Sequence, residues 1–131
     1  MTEPNIKVIF DTNVWISFLI GKKLAMIKGY IEDRRIKIII TNQLIEEIKL
    51  VTLREKLQKY FQKESVIELI ELLEAISDNI EIRPTHLLSR DKKDNFLLDL
   101  IDFAKADYLV TGDKDLLELN PFQSALIFNT F

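Results

Sequence analysis

The chain has no cysteine among its 131 residues. That removes disulfides and thiolate metal sites and weakly favours a reducing compartment, with the cytoplasm as default. A single histidine, His86, leaves a two-histidine acid–base ribonuclease mechanism without its second partner, and it reads as a loop residue near Pro84. Three glycines and three prolines are the only punctuation, and no glycine-rich phosphate loop is among them. No apolar run approaches the ~20 residues needed to cross a bilayer, so no membrane association is expected. The segment Met1-Thr2-Glu3-Pro4-Asn5 has neither the basic nor the apolar region of a secretory signal. A basic excess is missing too: the net charge of −3 is not the usual footprint of a nucleic-acid partner. That balance does not decide the matter, because clustered active-site acids supply part of it and bound cations reverse it locally. Lys22-Lys23, Arg34-Arg35 with Lys37, and Lys92-Lys93 read as solvated surface charge. Exposed aromatic–basic interleaving, the usual single-strand signature, is not apparent. Trp15, with Ile16, Phe18 and Leu19, reads as helix core.

What is present suits a soluble globular protein. Hydrophobic residues make up 47% and charged residues 30% of the chain, enough for one domain, 1–131, with a real core. No internal repeat, low-complexity tract or linker is visible. Strands are expected over Ile6–Phe10, Ile36–Ile40, Ile80-Glu81-Ile82, the residues ending at Val110, and Ala125–Phe128. Helices are expected from Val14 to Tyr30 with a break near Gly21, from Gln43 to Leu53 with Thr41 as N-cap, and over Arg54–Ile76 as one or two amphipathic helices. Two more are expected, over Lys93–Lys105 and around Leu116-Leu117. Strands alternating with helices imply βαβ units, right-handed crossovers and a mostly parallel sheet.

The acids fall at the ends of these elements. Asp11 follows Ile6-Lys7-Val8-Ile9-Phe10, and Asp113 follows Tyr108-Leu109-Val110-Thr111-Gly112, so each carboxylate sits where a buried strand becomes a loop. In an open parallel sheet that edge is where ligands bind. Asp11 could serve as an N-cap, but Thr12 and Asn13 can cap as well, and a carboxylate at the end of a central strand is costly to bury unless paired or metal-bound. Leu44, Ile48 and Val51 define a buried stripe that leaves Glu46 facing away and Glu47 at its border, so Glu47 is preferred. Asp91 is suited to cap the helix before the penultimate strand, and Asp94 either complements that helix's dipole or faces the site. Asp99 and Asp102, farther along, are expected in solvent. In Thr111-Gly112-Asp113-Lys114-Asp115, Gly112 permits backbone conformations that other residues resist. Either Asp113 or Asp115 can cap the short helix, the other remaining for metal; Asp113, at the strand end, is better placed for metal, with Asp115 as an outer ligand. Convergent carboxylates without soft ligands suggest a hard divalent cation such as Mg²⁺ or Mn²⁺.

Ile9-Phe10-Asp11-Thr12-Asn13-Val14, Thr41 through Glu47, Asp94-Asn95-Phe96-Leu97-Leu98, and Tyr108 through Leu117 together resemble the PIN-domain family. The likeness is closest to its compact bacterial, VapC-like branch of toxin components from toxin–antitoxin pairs. It spans nearly the whole chain, with the region near Gly21 and the end after Asn120 matching loosely. The resemblance implies a three-layer α/β/α sandwich around a parallel sheet with strand order 3-2-1-4-5. It maps the family's acids onto Asp11, Glu47, Asp94 and Asp113, with Asp115 as an outer ligand and Asn13 and Thr111 as supporting positions. It further implies Mg²⁺- or Mn²⁺-dependent hydrolysis of RNA, leaving 5′-phosphate and 3′-hydroxyl ends, and a cognate antitoxin. Homodimerisation through the apolar faces of residues 57–73 competes with those faces simply covering the sheet.

Two other classes compete. A non-catalytic PIN-like module would dock RNA or protein without turnover, although the intact acid set weighs against it. A phosphoryl-transfer domain of the haloacid-dehalogenase or receiver type also places Asp after its first strand. The former requires a second Asp where Asn13 stands, and the latter an acidic pair that Glu3 is too distant to form.

Overall fold

The computed structural model describes residues 6–76 and 92–129, with residues 92–94 described by their backbone alone. The first half comprises β1 (Lys7–Phe10), α1 (Thr12–Ile20), α2 (Leu24–Glu32), β2 (Lys37–Ile38), α3 (Asn42–Thr52), a 3₁₀ turn (Glu55–Leu57) and α4 (Lys63–Ile76). The second comprises α5 (Lys92–Ala104), β3 (Tyr108–Val110), α6 (Lys114–Leu117) and β4 (Leu126–Phe128). The described strands form one parallel sheet in the order β2-β1-β3-β4. These are the positions expected for the first, second, fourth and fifth strands of a 3-2-1-4-5 sheet. The expected strand Ile80-Glu81-Ile82 lies outside the described residues.

Period-two alternation along the strands sends side chains to two separate cores. Val8, Phe10, Ile38, Ile40 and Val110 face a core completed by Val14, Trp15, Leu44, Ile48, Leu69 and Leu73. Ile9, Ile39, Leu109 and Ile127 face the other, completed by Leu97, Leu98, Ile101, Leu116 and Phe122. Helices on both faces of a parallel sheet give the expected α/β/α layering. Because both faces of the short strands are covered, they read as unbroken apolar runs.

The expected helix 14–30 is two helices. Gly21 caps α1 with φ −82°, and Lys22 makes the reversal at φ 55°. The second strand is shorter than the run Ile36–Ile40, although Ile39 still donates to the Val8 carbonyl at 2.9 Å. Thr41 caps α3 as expected, its hydroxyl accepting from the Leu44 amide at 3.2 Å. In α4, Leu69 and Leu73 are fully buried against the core, while Glu64, Glu68, Glu71 and Glu74 face solvent. Glu68 meets Lys28 of α2 in an ion pair.

Trp15 has no exposed surface and makes edge-on contacts with Phe10 and Phe18, at centroid separations of 5.2–5.7 Å around the three rings. Its indole Nε1 is buried with no partner among the described residues, so there the residue contributes through apolar volume. Trp15→Ala is expected to cost about 3–5 kcal/mol, measured by urea unfolding. Trp15→Phe should cost markedly less, since it keeps most of the ring contact and removes an unsatisfied donor. Equal losses for the two variants would refute this account.

Candidate active site

The site is set by the reversal in strand order. The chain leaves β1 toward β2 on one side, and β3 enters on the other, so the C-terminal ends of β1 and β3 lie side by side at the crevice where ligands bind in such sheets. Phe10 is in register with Val110, and the Asp11 amide donates to the Val110 carbonyl at 3.0 Å. The residue after each strand is therefore a neighbour of the other: Asp11 beside Thr111.

One hydroxyl joins the two strand ends. Thr111, with no exposed surface, donates from Oγ1 to Asp11 Oδ2 at 2.7 Å and accepts from the Asp113 amide at 3.1 Å. Asp11 is 8% exposed, and its other oxygen, Oδ1, accepts from the Thr12 amide at 2.7 Å. Asp11 is thus the N-cap of α1, in extended backbone at φ −62°, ψ 158°, whereas Thr12 and Asn13 lie within the helix. The expectation that Thr12 or Asn13 would take over capping is corrected. Asp113 caps α6, its Oδ1 accepting from the Asp115 amide at 2.8 Å, and Asp115 occupies that helix's first turn. The expectation that the acid better placed for metal, Asp113, would leave capping to Asp115 is corrected: Asp113 is the cap. No described glycine has a positive φ, so the turn at Gly112 does not draw on the left-handed backbone that glycine allows.

The other acids differ in placement. Glu47 is half-buried on α3, while Glu46 turns to solvent and meets Lys49 at 3.4 Å. α3 starts directly after β2, and α5 runs back into β3, so the first turns of both helices belong to the edge that carries Asp11. Asp94 lies in the first turn of α5, with its side chain outside the described residues; Asp91, Pro84 and His86 lie outside them altogether. Asp99 is a correction: it is 2% exposed rather than solvated, as is its neighbour one turn earlier, Asn95, at 7%. Both lie on the side of α5 away from Leu97 and Ile101, so the helix is covered there as well, which the amphipathic pattern did not indicate. Asp102 is half-buried and meets Lys105 at 3.6 Å.

The donor set suits a hard cation. Every candidate ligand is a carboxylate, with Thr12 Oγ1 buried next to Asp11 and without a partner among the described residues, a polar atom that a bound ion or its water would satisfy. Among the described residues no group of three acids, histidines or cysteines converges closely enough to hold an ion. The described part of the corner is therefore the pair Asp11–Asp113 joined through Thr111. It has one buried carboxylate that accepts from Thr111 and from the Thr12 amide, and a second acid whose backbone amide donates to the same Thr111 hydroxyl.

A family model described as the PIN domain matches residues 7–115. The chain is also 30% identical over 132 residues to an uncharacterized protein of Methanocaldococcus jannaschii, an alignment covering 98% of this chain and 84% of that protein.

Thr111→Val keeps the shape of the side chain but strands both Asp11 Oδ2 and the Asp113 amide. A loss of about 1–3 kcal/mol in unfolding free energy is expected, with Thr111→Ser close to wild type. Denaturant midpoints for the two variants measure this, and a Val variant as stable as the Ser variant would show that the bridge contributes nothing.

Proposed function

The chain belongs to the PIN-domain family, whose fold is a nuclease fold, and from that we propose that it is a divalent-metal-dependent endoribonuclease. The toxin role in a toxin–antitoxin pair is proposed on the motif resemblance to the VapC-like branch. The observation that carries the reading is the buried Thr111 hydroxyl that ties the Asp11 carboxylate to the backbone amide of Asp113 at the sheet's reversal point. Two carboxylates that end adjacent strands at that point offer hard oxygen donors to a cation, which would offset their like charge.

Asp11 and Asp113 would hold Mg²⁺ or Mn²⁺, with Asp94 and Glu47 completing the set and Asp115 as an outer ligand. When bound, the ion stabilises negative charge at the phosphate and the leaving 3′ oxygen and makes a water nucleophilic near neutral pH. The chain's own part is positional. Thr111 fixes the carboxylate plane of Asp11 from β3, and the Thr12 amide fixes it from α1. The first turns of α1 and α3 both open onto this edge and present partial positive charge to a phosphate. Because the attack needs no 2′-hydroxyl, the products carry 5′-phosphate and 3′-hydroxyl ends. No helix among the described residues is long and apolar enough to cross a membrane.

The test is cleavage of mixed RNAs by the purified protein with Mn²⁺ or Mg²⁺, beside EDTA-treated protein and Asp11→Asn. Asparagine keeps an oxygen for the Thr12 amide and offers Thr111 a donor, so the variant should fold with a near-native circular dichroism spectrum. Its cleavage rate should fall at least ~100-fold, as removal of an essential charge from a catalytic site typically does. Cleavage that survives EDTA and the substitution alike would overturn the assignment. A folded protein that binds RNA without cutting it would instead support a non-catalytic PIN-like module.

A further inference from the structure

The ribonuclease reading leaves open how an anionic strand is held beside an anionic corner, and the surface next to that corner supplies an answer that rests on it. α1 and α3 begin at the edge bearing Asp11 and descend from it in contact with each other. On α1, Asn13, Ser17 and Ile20 share one face; on α3, Glu47 and Val51 do so, with Arg54 about one turn beyond. Between them lies a cavity of about 350 Å³ lined by Asn13, Ser17, Ile20, Val51, Arg54 and Lys56. One end of this cleft is therefore two residues from Asp11, and the other ends on two cations.

Arg54 and Lys56 are exposed, and no carboxylate among the described residues pairs with either. They open a segment, residues 54–63, that holds Arg54, Lys56, Lys59 and Lys63 against the single acid Glu55, in a chain whose net charge is −3. Within it Tyr60 is 50% exposed, with Lys59 Nζ 5.2 Å from the ring centroid. Cations interleaved with an exposed ring are what a single strand needs: charge along its backbone and a face for a base. We propose that the cleft between α1 and α3, continued by residues 54–63, is the track of a single-stranded RNA, Arg54 and Lys56 holding backbone phosphates about a helix length from the cleaved one and Tyr60 offering a base a stacking face.

The experiment is fluorescence anisotropy with a labelled single-stranded RNA across a salt series, in the Asp11→Asn background so that nothing is cut. Adding Arg54→Gln and Lys56→Gln should weaken binding and lower the slope of log affinity against log salt by about 1.4, roughly 0.7 for each phosphate no longer neutralised. Tyr60→Leu should weaken binding with the slope unchanged. Lys105→Gln, at the end of α5 and away from the cleft, removes a charge with no change in slope. If Arg54→Gln/Lys56→Gln binds with the slope and affinity of its parent while wild-type protein still cleaves RNA, the track is wrong and the ribonuclease reading stands. If wild-type protein neither binds nor cleaves RNA, both fail.

Discussion

The pairing of β1 with β3 is the constraint on which the rest of the site depends. Phe10 opposite Val110 makes Asp11 and Thr111 neighbours although 100 residues separate them, and the hydrogen bond from the Asp11 amide to Val110 holds that register. A slip of one residue would exchange the faces of every side chain on the strand, moving Val8 and Phe10 into the core now filled by Ile9 and its neighbours. The two cores therefore lock the register, and the register places the acids. Burial of a charged group at a strand end is tolerated because the same geometry supplies its donors, one from the helix it caps and one from the neighbouring strand end.

The acids proposed to hold a cation also cap helices. Asp11 caps α1 and Asp113 caps α6, so each acid has a structural task independent of any ion. A carboxylate at a helix N-terminus is stabilised in its charged form by the dipole and the amides there, which is the form a cation requires. The two roles reinforce each other rather than compete. The arrangement also explains why the surrounding residues are small and hydroxylic: Thr12 and Thr111 are buried, and each places an oxygen close to the acids without adding charge.

Much of this was legible in the residues. The strand–Asp junctions at 10–11 and 110–113, the Thr41 cap and the outward turn of Glu46 follow from period, capping chemistry and helical phase, which are local. Where the reading of residues departs from the structure, the cause is non-local. Asp99 looked solvated because the helix pattern shows which side faces the sheet but not that the opposite side is covered too. The basic segment 54–63 has its cations spaced through an amphipathic stretch, and only the fold shows Arg54 exposed at the end of a cleft that leads toward Asp11, with Tyr60 exposed farther along the segment.

By itself the sequence determined the α/β class, the order of elements, which residues are buried in the strands and which acids end them, since each depends on spacing within a few residues. It also carried the family, through four motifs in order. Only the tertiary structure decided that one Thr111 hydroxyl ties the Asp11 carboxylate to the backbone amide of Asp113, that both acids serve as caps, that Asp99 is enclosed, and that Arg54 stands at the far end of a cleft that begins near Asp11. These are relations between segments far apart in the chain. They are set by which strand lies beside which, and by how two cores close on the two faces of one sheet.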